Sequence, residues 1–533
     1  MKKQSFIQGT LILLAAGILN RILGFIPRVT LPRIIGAEGV GIYQLGYPFL
    51  LVIITLITGG VPLAVAKLIA EADSVGDRAR VRRILSVAMK LTVSAGIVFS
   101  AAYLMLAPWM TSLVLTDTRV YYTLLVMTPI IIMVAISAVL RGYFQGMQNM
   151  VPTAVSQVTE TFIRSVAVIG FAYLFLPYGL EWAAAGAMGG VVVGELGGLI
   201  VLIFLMRSAR KQKENGAADG APASLHLPEH GGAHKIASRL LGIALPVTGG
   251  KLIGSLSYLL ESIAIARSLA AAGVLTAIAT AQYGALQGMI IPILTLPGAL
   301  TYSLAVSLVP SLSEALGRND IRMIHKRIYQ AIRLALVCGA PFAVIMFVLA
   351  LPLCVLLYND PSVAPMLRWM APIAVFIYLQ APLQAALQAL ERPGTALVNT
   401  FIGAALKLLL IIQLASQPQL GIYGAIIAIC MNVVVVTLLH TVSVIRHLHL
   451  QIPWLDLIKV GSAMLIMAGC IQALYMRALL PEGYSGLLRF IAAGTAGVIV
   501  YLLLLIMMGI IDRDDVTRLP RLRQWLPTKP HRK

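Results

Sequence analysis

Fourteen apolar runs, each roughly 20 residues long, divide the chain and restrict the folds that it can adopt. A segment of this length that crosses a bilayer must satisfy its own backbone polar groups, and it therefore forms an α-helix. Only 12% of the 533 residues are charged and 59% are hydrophobic, which leaves too few charges to cover a soluble domain. The sequence predicts an all-α polytopic membrane protein with 14 transmembrane helices.

The predicted spans form two sets of six and a final pair. The first set occupies residues 1–206 and the second occupies residues 239–446. Residues 207–238 are polar and poor in large apolar side chains, which predicts a flexible cytoplasmic linker. Residues 447–533 are predicted to hold spans 13 and 14 and a basic cytoplasmic tail.

The two six-helix sets resemble copies of one another. A shift of 243 positions superposes matching residues: Pro129 on Pro372, Gln145 on Gln388, and Arg164 on Lys407. Parallel repeats joined by a long linker predict two lobes related by a pseudo-two-fold axis along the membrane normal. A substrate site near the midplane between the lobes follows from that arrangement.

Lysine and arginine concentrate in alternate loops, which predicts the orientation of the chain in the membrane. Basic clusters lie at 78–83, 207–213, 318–327 and in the C-terminal tail, on the same predicted side as Lys2 and Lys3. We therefore expect a multi-pass protein of the cell membrane with both termini in the cytoplasm. These loops account for the net charge of +20, so membrane lipids are expected partners and nucleic acid is not.

Two arginines lie inside the first apolar run. Arg21 and Arg28 are seven residues apart, which places them on one helix face at a separation of roughly 10 Å. A cation at the centre of a lone membrane helix costs roughly 2.5–3.5 kcal/mol on insertion scales, so such residues tend to face a bundle interior or a water-filled cavity. We interpret this helix as one wall of a cationic cavity that binds an anionic substrate.

Two lysines are predicted to support that cavity. Lys251 lies in the seventh span, the counterpart of the first, and Lys407 lies in the eleventh. Lys407 matches Arg164 in the repeat, but the position of the second repeat that matches Glu160 is a glycine. Glu160 and Arg164 have the i,i+4 spacing of an ion pair, so a structural tie is favoured over a coupling or substrate role for them.

Glu261 in the seventh span is the predicted counter-charge of the cavity. It is positioned to neutralise Arg21 or Arg28 when the cavity is empty, or to take a coupling proton. Hinges are predicted at prolines in the first two helices of each set, because proline removes a backbone hydrogen bond and bends a helix. These hinge candidates are Pro27, Pro62, Pro246 and Pro297.

The sequence argues against an enzyme. It contains no nucleotide-binding glycine loop, no metal-ligand spacing and no large extracytoplasmic loop that would hold a catalytic domain. A membrane-embedded glycosyltransferase would need a carboxylate or histidine cluster on one helix face, and a cationic-drug exporter would need an acidic cavity. We therefore expect a transporter with no cofactor and no metal.

Three stretches carry a family resemblance: RILGFIPRVTLPRIIGAEGVGIYQLGYPF, GGVPLAVAKLIAEA and LRGYFQGMQNMVPTAVSQVTETFIR. They resemble the polysaccharide-exporter branch of the multidrug/oligosaccharidyl-lipid/polysaccharide flippase superfamily. The resemblance implies an alternating-access flippase for undecaprenyl-pyrophosphate-linked saccharide, with the peptidoglycan precursor lipid II for the spore cortex as the leading substrate. Cell-wall synthesis enzymes are further candidate partners. A teichoic-acid or exopolysaccharide intermediate, or a non-transporting scaffold for wall assembly, stays open as an alternative.

The resemblance also bears on the two arginines of the first helix. Related lipid II flippases have an Arg–x–Leu–Gly–Phe motif whose arginine serves the central cavity, and this motif falls on Arg21 to Phe25. Their second arginine lies six residues later, where this chain has Pro27, with Arg28 next to it. A shift of one residue turns a helical side chain by about 100°. The resemblance therefore supports a cavity role for Arg21 more firmly than for Arg28.

Overall fold

The computed structural model describes residues 6–215, 232–450, 454–476 and 486–510, and every regular element in these ranges is helical. Thirteen helical segments of this part of the chain are long and apolar enough to cross a membrane. The first, Leu11–Ser74, comprises 64 residues with a bend at Gly36, so the count agrees approximately with the predicted 14. The predicted all-α polytopic fold is confirmed.

The helices form two compact units. Among the described residues, those up to 289 and those at 410–425 belong to the first unit, and those at 290–409 and from 426 onward belong to the second. The helices up to the first boundary are α1 Phe6–Thr58, α2 Val61–Ser74, α3 Arg78–Trp109, α4 Tyr121–Gly146, α5 Val151–Phe175, α6 Leu180–Asn215, α7 Ala233–Ala271 and α8 Thr276–Gly284. Those beyond it are α9 Ile291–Thr295, α10 Gly298–Gly317, α11 Ile321–Val348, α12 Ala350–Tyr358, α13 Ala364–Met370, α14 Ala374–Ala389, α15 Pro393–Leu414, α16 Ile422–Leu448, α17 Trp454–Met476 and α18 Gly486–Met507.

Helices extend into both ends of the segment predicted as a linker. Helix α6 continues to Asn215 and α7 begins at Ala233, because good helix formers such as Arg, Lys, Gln and Glu follow the sixth span. The predicted linker between them, residues 216–231, lies outside the described residues. The lobes predicted at 1–206 and 239–446, and the separate 447–533 segment, follow the sequence repeat and stay a prediction.

Local backbone features recur at the offset of the sequence repeat. Asp77 and Asp320 each begin a helix, and each side chain accepts a hydrogen bond from the backbone N–H three residues later. This satisfies one of the free donors of a helix N-terminus in the same way in both halves. Residues with positive φ also recur 243 positions apart: Gly76 and Asn319, Thr116 and Asn359, and Gln148 and Glu391. The repeat therefore extends from sequence to the turns between helices.

The bend in α1 is centred on Gly36. Its φ of 67° and ψ of 178° fall in a region that is essentially restricted to glycine. A single residue thus replaces the loop expected between the first two spans. Two arms of one helix, residues 6–35 and 37–58, meet at this residue and can run in different directions.

Two glycines allow the second arm of α1 to pack closely against α8. A Cβ added to Gly41 would overlap the carbonyl oxygen of Thr280, and one added to Gly284 would overlap that of Ala37. Small residues permit such backbone approach, which supplies van der Waals contact between membrane helices. This contact fixes α8, and with it the start of the eighth span, against the N-terminal helix.

Gly284→Ala should lower the stability of the protein by about 1–3 kcal/mol, because a rigid backbone atom blocks the new methyl group. Thermal unfolding of the purified protein in detergent would measure the loss. Gly242→Ala on α7 is the matched control, since no atom lies within 4 Å of its added Cβ. Equal melting temperatures for the two variants would contradict this packing.

Candidate functional site

Helix α7 closes a break between α1 and α2. The first helix ends at Thr58 and the second begins at Val61, so Gly59 and Gly60 leave backbone groups without intrahelical partners. The Lys251 Nζ donates to the carbonyl oxygen of Gly59 at 2.7 Å, and the N–H of Gly60 donates to the Thr248 hydroxyl at 3.0 Å. The break is therefore bridged by Lys251 and Thr248 of the neighbouring helix.

A cavity of about 350 Å³ lies beside this break. Its polar lining residues come from four helices of the first unit: Thr55, Thr58, Arg141, Gln145, Gln157 and Lys251. Two of them are cations, and none of the described lining residues is acidic. Hydroxyl and amide groups surround the two positive charges, which is the arrangement expected of an anion-binding cavity.

Arg141 on α4 also contacts the fifth helix. Its Nη2 lies 2.7 Å from Oε2 of Glu160, while Nη2 of Arg164 lies 2.7 Å from Oε1 of the same carboxylate. Glu160 is buried, whereas the side chains of Arg141 and Arg164 are 18% and 35% exposed. The predicted i,i+4 ion pair is present, and a second arginine joins it from the neighbouring helix.

Glu195 on α6 completes this cluster. Its carboxylate accepts a hydrogen bond from the Ser137 hydroxyl at 2.9 Å, one helical turn from Arg141, which contacts Glu160. Glycines of α6 make the approach possible: a Cβ at Gly194 would lie 2.5 Å from Cβ of Arg164, and one at Gly198 would lie 2.8 Å from Cβ of Glu160. Helices α4, α5 and α6 thus share one buried charged cluster.

The first arm of α1 is held against α5 close to Arg21. The Ser165 hydroxyl donates to the carbonyl oxygen of Leu23 at 2.9 Å, and Gly24 faces the methyl group of Thr161. Arg21 is exposed on this arm. The residues of the Arg–x–Leu–Gly–Phe motif therefore position the arginine by attaching its helix to the neighbouring one.

Arg28 lies further along the same arm and is also exposed. Neither Arg21 nor Arg28 is among the residues that line the cavity of about 350 Å³. Their predicted role in binding the substrate stays a prediction.

Glu261 on α7 is buried and has an amide partner. The Gln287 Nε2 donates to its Oε1 at 2.9 Å, and Gln287 is itself buried in a wide helical turn that follows α8. The structure thus provides a hydrogen bond for a carboxylate that would be costly to bury without one. Its predicted role as counter-charge or proton acceptor stays a prediction.

The remaining predicted residues divide between the two units. Lys407 on α15 is buried in the second unit, and its predicted role in the cavity stays a prediction. Pro62 begins α2 after the break, and Pro297 lies between α9 and α10, so both are at helix ends. Pro27 and Pro246 lie inside continuous helices. Hinge motion at these four prolines stays a prediction.

Sequence reasoning missed Arg141 and Gln287. Arg141 is 19 residues from Glu160, and pattern rules along one helix do not connect residues at that separation. One signal was present in the sequence: Arg141 precedes the short turn between α4 and α5, and Glu160 follows it, so a cation and a carboxylate lie on either side of that turn. Gln287 had no comparable signal, because its partner lies 26 residues away across a glycine-containing turn.

Known proteins identify the family. Residues 6–316 match the family described as "Polysaccharide biosynthesis protein", and residues 257–412 match that described as "MatE". Stage V sporulation protein B of Bacillus subtilis (strain 168) is 40% identical over 520 residues, covering 98% of both chains. The chain belongs to the polysaccharide biosynthesis protein family. Another relative is the lipid II flippase MurJ of the same strain, 25% identical over 457 residues and covering 83% of this chain and 82% of the relative.

Solved structures confirm the fold of this family member. A lipid II flippase MurJ in an inward closed conformation superposes with a TM-score of 0.70 at 15% identity, covering 94% of this chain and 99% of the other. An inward-facing multidrug resistance MATE family transporter superposes with a TM-score of 0.58 at 16% identity, covering 81% and 94%. The protein therefore has the fold of the multidrug/oligosaccharidyl-lipid/polysaccharide superfamily.

A second charged cluster of this polysaccharide biosynthesis protein lies at the turn before α4. Arg119 contacts Oδ2 of Asp117 at 2.9 Å and Oε1 of Glu38 at 2.6 Å, and the Thr280 hydroxyl donates to Asp117 at 2.7 Å. Burial raises the pKa of the Asp117 carboxyl, but the hydrogen bonds from Arg119 and Thr280 outweigh it and hold the pKa below its ordinary value. These contacts join the turn to α1 and α8.

Asp117→Asn should lower the free energy of unfolding by roughly 1–3 kcal/mol at neutral pH, because Arg119 and Thr280 lose a charged acceptor. A carboxyl group whose pKa is lowered on folding stabilises the protein at pH values above its unfolded-state pKa of about 3.9. That stabilisation is lost as pH falls through the folded-state pKa. Melting curves against pH should therefore converge for wild type and variant in strong acid. Asp360→Asn, at the equivalent turn of the repeat, is the control with a smaller expected loss. A constant difference at every pH would contradict the pKa argument.

Proposed function

We propose that the protein is a flippase that carries undecaprenyl-pyrophosphate-linked saccharide across the cell membrane, with lipid II for spore cortex synthesis as its substrate. This proposal rests on the cavity of about 350 Å³ in the first unit. Among the residues that the structure describes, Arg141 and Lys251 are the charged residues that line it. A pyrophosphate diester bears two negative charges. Arginine matches phosphate oxygens with paired donors, and lysine adds a point charge.

The character of the cavity argues for an anion rather than a cationic drug. An exporter of cations would use carboxylates to bind its substrate, whereas the acidic residues near this cavity are already engaged. Glu160, which contacts the cavity residue Arg141, is paired with two arginines. The names of two relatives, lipid II flippase MurJ and stage V sporulation protein B, support the head group and the sporulation context of the proposal.

The proposed mechanism is alternating access. The pyrophosphate and sugar enter the cavity from the cytoplasmic side, while the polyprenyl chain stays in the bilayer because its transfer to water is unfavourable. Arg141 and Lys251 meet the phosphate charge in the cavity, and Arg21, with Arg28 and Lys407, is proposed to meet it elsewhere on its path. Bending at Pro27, Pro62, Pro246 and Pro297 then exposes the head group on the other side. Both termini are placed in the cytoplasm in this proposal, on the basis of the basic loops.

Flipping of labelled lipid II in proteoliposomes tests the proposal. The expected result is transfer well above that of protein-free vesicles, with slower transfer of teichoic-acid and exopolysaccharide precursors that share the undecaprenyl tail. Faster transfer of one of those precursors would overturn the lipid II assignment and leave a flippase of another saccharide. Failure with every undecaprenyl lipid would favour the scaffold alternative.

A further inference from the structure

The charged cluster beside the cavity contains two carboxyl groups in close proximity. Glu160 on α5 and Glu195 on α6 are 8% and 6% exposed, and both contact one face of α4, where Arg141 pairs with Glu160 and Ser137, one turn away, donates to Glu195. Two carboxylates in close proximity repel one another, so they share a proton unless neighbouring cations balance both charges. The protonation of this pair therefore depends on how many cations face it.

Two guanidinium groups contact this pair of carboxyl groups in the structure. Arg141 on α4 and Arg164 on α5 each contact one oxygen of Glu160, and Ser137 on α4 donates to Glu195. Lys251 on α7 lies across the cavity, where it donates to the backbone of Gly59. The cluster thus holds two positive charges against two carboxyl groups, and its balance depends on Arg141 and Arg164.

Arg141 contacts the cavity as well as the cluster. Its Nη2 contacts Glu160 at 2.7 Å, and the residue also lines the cavity that Lys251 lines. Its Nε is buried and, within the part of the chain that the structure describes, has no hydrogen-bond partner. A buried donor of this kind costs free energy until an acceptor reaches it. The guanidinium therefore has donor capacity left for an anion.

We propose that Arg141 binds the anionic head group and that the Glu160–Glu195 pair then takes up a proton. The inference rests on the proposed function, because it requires an anion in the cavity. An anion draws the charge of Arg141 towards itself and leaves Arg164 alone to balance two carboxyl groups. A proton from solvent binds between the carboxyl oxygens and restores neutrality. When the anion leaves, Arg141 returns to Glu160 and the proton is released to solvent.

Proton uptake during anion binding tests this inference. The probe is citronellyl pyrophosphoryl-N-acetylglucosamine, a short-chain pyrophosphate diester whose two charges do not titrate near neutral pH. Purified full-length protein in weakly buffered detergent is titrated with the probe, and an indicator dye reports protons while calorimetry reports binding. We expect uptake of up to about one proton per probe at a pH where the free pair is deprotonated, and less at a pH where the free pair already holds a proton. Where uptake occurs, affinity should fall as pH rises, by up to about tenfold per pH unit.

Three variants separate the possible outcomes. Glu195→Gln should keep probe binding and abolish uptake, since a single carboxylate remains opposite Arg164. Arg141→Gln should weaken binding at least several-fold and abolish uptake. Glu71→Gln, which removes an exposed ion pair with Arg239, should behave as wild type. Binding by wild type without proton uptake, or equal uptake by wild type and Glu195→Gln, would overturn the inference and leave the proposed function standing. Absence of probe binding by wild type would overturn both.

Discussion

Arg21→Ala should reduce lipid II flipping by about 10- to 100-fold while the protein stays folded in the membrane. A charged hydrogen bond is worth roughly 1.5–3 kcal/mol, and its loss from a transport intermediate slows the step by that factor. Arg21 is exposed on the arm of α1 that Ser165 holds at Leu23, so its removal leaves the helix contact intact. Flipping in proteoliposomes measures the effect, and size-exclusion chromatography checks the fold.

Two further variants give this experiment its controls. Arg21→Lys keeps the charge but loses the paired donors of the guanidinium, so we expect intermediate activity. Arg33→Ala removes another exposed arginine of the same arm, which has no proposed role in the cavity, and flipping should stay close to wild type. Full activity of Arg21→Ala, or an equal loss in Arg33→Ala, would remove Arg21 from the cavity assignment.

Glu160→Gln should lower the stability of the protein by roughly 3–5 kcal/mol. The change leaves Arg141 and Arg164 without the carboxylate that each contacts at 2.7 Å, and an uncompensated charge in a largely buried cluster is costly. The side chain of Glu160 is only 10% exposed, so little water reaches the side of the two guanidinium groups that the carboxylate contacts. Thermal unfolding in detergent would show a large fall in melting temperature.

The second unit contains a matched control for this variant. Glu314 also lies near two arginines, Arg318 at 2.9 Å and Arg327 at 4.0 Å, but its side chain is 54% exposed. Exposed ion pairs contribute roughly 0–1 kcal/mol, so Glu314→Gln should change the stability by only about that much. A similar loss for both variants would show that the Glu160 cluster is solvated and not a buried structural tie.

Much of the fold could be predicted because its determinants are local in sequence. Apolar runs of bilayer length specify helices, since no other backbone structure satisfies its hydrogen bonds there without a partner segment. The Glu160–Arg164 pair was predictable for the same reason, as its spacing places both side chains on one face. The 243-residue repeat was visible in aligned prolines and glutamines, and the structure adds matched caps and turns.

The candidate site depends on contacts between helices, and these were not predictable from one sequence. Arg141 belongs to the cluster because α4 and α5 are neighbours, and Glu195 because glycines of α6 bring its backbone close to α5. Lys251 was identified as a cavity cation, but its hydrogen bond to Gly59 depends on where α1 breaks. Such partners are chosen by packing, which joins residues far apart in the chain.

The sequence by itself therefore determined that this chain spans the membrane many times, that its halves repeat, and which cations lie inside its helices. The tertiary structure decided which charges meet. It placed Arg141 between a carboxylate and a cavity, and it gave Glu261 an amide partner in Gln287. The physical reason is the distance along the chain between the residues that interact. Helix formation in lipid follows from the hydrogen bonds of neighbouring residues, whereas pairing of buried charges follows from helix contacts that the order of residues does not show.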